Sequence, residues 1–78
     1  MNTTKLCCAN SDFFYQVVNV TGEHRTRLSE LGFTKNTKVR VVRHLMDNGP
    51  IEVEIRDFHI ALRQEEAENI TVKILERK

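Results

Sequence analysis

Ile51–Ile74 reads IEVEIRDFHIALRQEEAENITVKI, and how this stretch is divided between strand and helix decides the fold. Ile51, Val53 and Ile55 alternate with Glu52, Glu54 and Arg56, a period of two that turns one face to a core and the other to water. After Asp57, Phe58 to Leu62 predicts another short strand, and Ile70, Val72 and Ile74 alternate with Thr71 and Lys73 in a last one. The segment between them, IALRQEEAEN, is ambiguous. Ala, Leu, Arg, Gln and Glu are strong helix formers, so propensity alone predicts a helix through Ala67.

Upstream, Met46-Asp47-Asn48-Gly49-Pro50 is the strongest turn signal in the chain, because Asn-Gly between apolar runs supplies the positive φ angles of a tight hairpin. A strand from Lys38 to Leu45 precedes it, with Val39 and Val41 on one face and Arg40 and Arg43 able to sit across from Glu52 and Glu54. Thr34-Lys35-Asn36-Thr37 predicts a turn in which Asn36 takes positive φ. Before it the period changes: Leu28 and Leu31 are three apart, with His24 one turn earlier, which predicts a two-turn helix over Glu23 to Leu31. Gly32 ends that helix in a left-handed conformation, and Phe33 packs back on Leu28 in a Schellman ending. Phe13 to Val20, rich in aromatic and β-branched residues, predicts the first strand. Five short strands and one brief helix in so short a chain predict a mainly β fold, a small barrel that closes its own edges around a filled interior.

At 78 residues the chain is one small domain, and its net charge of +1 is mixed along the sequence, so steering toward polyanions is weak. No apolar run approaches the roughly 18 residues of a membrane span, which predicts a cytosolic protein with no direct membrane insertion. Cys7 and Cys8 are adjacent. On an extended chain neighbours point to opposite sides, which strains a vicinal disulfide and makes shared metal ligation awkward; reduced thiols are predicted, and no C-x-x-C or H-x-x-x-H pair accompanies them.

Two motifs point further. Ile60-Ala61-Leu62-Arg63 followed by Glu65-Glu66-Ala67, and Leu28, Leu31, Gly32 and Phe33 in an L-x-x-L-G-x turn, resemble the signature of the ferrous iron transport protein A (FeoA) family. The similarity is nearly position for position from Asn48 to Val72 and covers about two thirds of the chain, while residues 1–12 match poorly. Two departures occur: Lys35-Asn36 stands where the family often has Pro-Gly, and Asp57 where it has Gly before the I-A-L-R strand. The resemblance implies an SH3-like barrel of about five strands, with a short inserted helix and, in place of the helix that propensity predicts, a strand and then one helical turn before the last strand. It also implies an accessory protein at the inner face of the membrane, held there through a membrane ferrous iron transporter with a cytosolic GTP-binding domain. The motif residues build turns and core, so they identify the scaffold and leave the binding face open.

No G-x-S-x-G, Walker-type loop or H-E-x-x-H occurs, so the chain reads as no enzyme and as needing no cofactor. His24, His44 and His59 are weak candidates for a divalent transition metal, His44 and His59 facing solvent and His24 covering Leu28. A metal-responsive regulatory domain binding Fe(II) or a similar ion is the alternative function, because iron-dependent repressors carry a related SH3-like domain. Nucleic acid is not expected as a partner: Phe13, Phe14 and Tyr15 form no stacking platform within a basic stripe. The favoured surface for a protein partner combines the polar helix face of Thr26, Arg27 and Glu30 with the hairpin tip Leu45-Met46.

Overall fold

Period-two alternation carries through the computed structural model, which describes residues 3–47 and 49–77. The strands are β1 (Thr3–Lys5), β2 (Phe13–Val20), β3 (Lys38–His44), β4 (Ile51–Ile55), β5 (Phe58–Leu62) and β6 (Ile70–Arg77). Between them lie a 3-10 turn at Leu6–Cys8 and two short helices, α1 (Arg25–Leu31) and α2 (Gln64–Ala67). Every ladder is antiparallel, in the order β1-β6-β2-β3-β4-β5. The mainly β architecture expected is the one found, with a single helical turn within the ambiguous IALRQEEAEN segment.

The structure departs from a closed five-stranded barrel in one respect. The sheet has six strands and its two ends are not paired. The extra strand explains this, because Thr3–Lys5 pairs with Thr71–Lys73 and takes the outer edge of β6 that a closing strand would need. Curvature comes from irregularities in the β2–β6 ladder and from a shift between Val41 and Arg43 in β3.

Alternate side chains of the sheet form the core. Val17, Val39, Val41, Ile51, Val53, Ile55, Leu62, Ile70 and Val72 are all at most 1% exposed. Leu6, Leu28 and Phe33 close it from outside the long strands. Ile74, which the alternation assigns to the same face, is 49% exposed because β6 continues past the core to Arg77.

Local chemistry sets the connections. Helix α1 begins two residues later than its spacing suggests and ends as predicted: Gly32 has φ 116°, its N–H donates to the Ser29 carbonyl, and Phe33 N–H donates back to the Leu28 carbonyl at 3.0 Å. Asn36 has φ 74°. Arg56 (φ 50°) and Asp57 (φ 70°) make the two-residue turn of the β4–β5 hairpin, in which Ile55 pairs with Phe58. Both departures from the family pattern thus fall at left-handed positions that Asn and Asp tolerate. The β3–β4 hairpin also forms, but Asn48, expected in its turn, lies outside the described residues.

Candidate functional site

The primed turn at Arg56-Asp57 sends β5 back along β4 as an edge strand, and the first side chain it delivers, Phe58, is 65% exposed. Phe58 and Ile60 share one side of the strand and meet the C-terminal end of α1, where Leu31 is half-buried and Glu30 exposed. Together with His59 these residues line an open cleft of about 360 Å³. An exposed aromatic ring beside two aliphatic side chains and one carboxylate offers an apolar anchor with a charged rim, the composition of a protein-docking face.

On the outer face of the sheet, charges form a continuous ladder. Arg43 Nε donates to Glu52 at 2.8 Å, and Arg40 Nε donates to Glu54 at 3.0 Å, in the register the sequence suggested. His59 stands between the carboxylates, Nδ1 3.0 Å from Glu52 and Nε2 3.6 Å from Glu54. Hydrogen bonds from His59 and Arg43 hold the Glu52 carboxyl below its ordinary pKa, and the bond from Arg40 does the same for Glu54. A second cleft of about 300 Å³, lined by Thr37, Lys38, Val39, Arg40, Glu54, Arg56 and Asp57, borders this ladder. Arg40 is tied there to Glu54, and Lys38 to Glu76 at 3.2 Å and to the Phe14 ring. Two of its cations are therefore already neutralised.

The surface expected from sequence is only partly assembled. Glu30 reaches the Phe58 cleft, and Thr26 is exposed on α1. Arg27 is engaged elsewhere, because its guanidinium meets the carboxylate of Glu66, which is 3% exposed. Leu45 and Met46, 43% and 65% exposed, stand at the end of the β3–β4 hairpin and do not line the cleft. Sequence reasoning misses Phe58, because a strand alternating Phe58, Ile60 and Leu62 reads as uniformly core-facing; only its place next to a tight turn signals the exposure.

The histidines are dispersed. His24 lies 3.9 Å from Glu23, His44 Nε2 lies 3.4 Å from the Ala9 carbonyl, and His59 is in the charge ladder. Among the described residues no three His, Cys, Asp or Glu side chains are placed to hold a metal ion. No helix among them is long and apolar enough to cross a membrane.

A family model described as the FeoA domain matches residues 5–74. Among solved structures, FeoA from Chlorobium tepidum is 35% identical with a TM-score of 0.83, the match covering 92% of this chain and 70% of that one. FeoA from Stenotrophomonas maltophilia, a prokaryotic SH3 domain protein complexed with zinc, is 29% identical with a TM-score of 0.79 over 90% of this chain and 89% of that one. A manganese-dependent transcriptional repressor shares the fold at 18% identity, with a TM-score of 0.83 over 94% of this chain and 42% of that one. No curated protein sequence matches the chain.

Proposed function

The chain belongs to the FeoA family, associated with ferrous iron transport, and from that premise we propose a non-enzymatic accessory protein of ferrous iron uptake that docks on a membrane transporter. It works in the cytosol and reaches the inner face of the membrane through that partner, on the transporter's GTP-binding part. Differential affinity for two states of the transporter lets it shift the population of those states or the nucleotide cycle, with no chemistry of its own.

The observation that carries this reading is the cleft of Leu31, Phe58 and Ile60 with Glu30 at its rim. Leaving Phe58 65% exposed on a small domain costs solubility unless another surface covers it. Buried aromatic anchors are the side chains that dominate interfaces, and a contact of roughly 1,000 to 1,600 Å² centred there would take in both the α1 end and the edge of β5.

The test is titration of the full chain against the isolated cytoplasmic GTP-binding domain and against the whole transporter, each loaded with GTP or GDP. Binding that differs between nucleotide states is expected, and Phe58→Ala should weaken it by about tenfold or more while leaving the melting midpoint unchanged. Absence of binding to both targets overturns the proposal. If Phe58→Ala binds normally and Met46→Ser does not, the docking face is the hairpin tip instead.

A further inference from the structure

Cys7 and Cys8 end the 3-10 turn Leu6–Cys8 that joins β1 to the rest of the chain. Sequence adjacency predicts thiols on opposite sides of an extended strand, yet the two Sγ atoms lie 3.7 Å apart. The reason is the turn. With three residues per turn, successive side chains are separated by about 120° rather than 180°, and both sulfurs come round to one side.

That separation is chemically specific. A disulfide needs about 2.05 Å, so the pair is not bonded and would have to close by more than 1.5 Å to become so. Two bonds of about 2.3 Å meeting at a tetrahedral cation subtend about 3.8 Å between the sulfurs. The observed spacing already matches the bite of a dithiolate on one such ion. The turn is also held in place: Leu6 is fully buried, Ala9 is 3% exposed, Ala9 N–H donates to the Leu6 carbonyl at 3.1 Å, and Asn10 N–H donates to the Tyr15 hydroxyl at 2.9 Å. Cys7 is half-buried and Cys8 exposed, so an ion reaches the pair from solvent without any opening of the core.

We propose that Cys7 and Cys8 form a bidentate site for one soft d10 cation of the zinc and cadmium class. Thiolate pairs select such ions over hard cations bound by oxygen, and the proposal stands apart from the ferrous iron reading of the Phe58 face. Because no third donor among the described residues joins the two sulfurs, the remaining positions stay with water, which makes the site open and exchangeable. In the metal-free protein one thiol donates to the other's sulfur across the same 3.7 Å contact.

The test is anaerobic titration of the reduced full-length chain with Cd(II), followed by the ultraviolet thiolate-to-cadmium charge-transfer band, which imidazole ligands do not produce. Saturation at one equivalent is expected, with displacement by excess Zn(II). Cys7→Ser and Cys8→Ser should each lower affinity more than tenfold. Cys8 is exposed, so its variant should keep the parent melting midpoint, which separates loss of a ligand from loss of the turn. A missing band, or undiminished affinity in Cys8→Ser, overturns the proposal.

Discussion

Glu66 shows how much one side chain can hold in a domain this small. It is 3% exposed, and its Oε1 accepts the Arg63 N–H at 3.0 Å at the start of α2 while its other oxygen meets Arg27 of α1. A buried carboxylate is costly unless paired, and here one backbone donor and one guanidinium together satisfy it. Arg27→Ala removes the only cation on that carboxylate among the described residues, and should cost about 1–3 kcal/mol, read as a lower urea midpoint with an unchanged slope. Glu66→Gln should cost less than Glu66→Ala, because the amide oxygen can still accept from Arg63. The sequence shows Glu-Glu-Ala as a turn but not which glutamate goes inside, since glutamates are almost never fully buried. For the same reason Arg27 reads from sequence as part of a free helix face. A charge reversal there tests the fold as much as any partner contact.

Among the elements, the connections are more legible than the strand ends. Gly32 and Asn36, placed by residue chemistry at left-handed positions, and Asp57, which stands where the family has Gly, have φ of 116°, 74° and 70°. Arg56, with φ 50°, is not legible in this way, because a basic residue carries no signal for that conformation and takes it only as the first half of a primed turn. These angles bear directly on stability. A Cβ at position 32 would meet nothing closer than Arg56 Cδ at 3.5 Å, so Gly32→Ala pays for backbone strain alone, about 1–2 kcal/mol. Asp57→Gly relieves such strain and should raise the melting midpoint, gaining a few tenths of a kcal/mol. The charge ladder across β3, β4 and β5 is readable as cross-strand pairs, although the part of His59 in it is not, since solvent-facing position alone does not say which carboxylates a ring will reach. Glu52 and Glu54 have folded pKa values below their unfolded ones, so their contribution is present above the ordinary carboxylate range of about 4.3 and is lost as pH falls through the lowered values. Thermal midpoints should therefore drop on acidification through and below that range, and the double variant Glu52→Gln with Glu54→Gln should show a flatter profile.

For the whole molecule, the part that sequence left dark is the part that decides how the sheet ends. Thr3-Thr4-Lys5 is too short and too polar to show alternation, yet it pairs with β6 along Thr71–Lys73 and leaves the sheet open between β1 and β5. The next residue, Leu6, enters the core with no exposed surface, and the adjoining turn contacts α2 and β6. A chain of 78 residues has little core to spare, and a stability on the order of 5 kcal/mol, the lower end for folded domains, is the relevant scale. Removing a buried leucine typically costs about 2–4 kcal/mol through lost burial and the cavity left behind, so Leu6→Ala should take away a large share of the total. The same substitution withdraws the anchor from the turn that holds the two thiols, whereas Val17→Ala, also fully buried but on a central strand, leaves that turn in place. Chemical denaturation should therefore show both variants destabilised, with hydrogen exchange at residues 4–10 accelerated in Leu6→Ala beyond what its global loss explains and not in Val17→Ala. If exchange in the two variants tracks global stability alone, the N-terminal segment folds as one unit with the sheet, and the thiol pair is held by the whole domain rather than by its own turn.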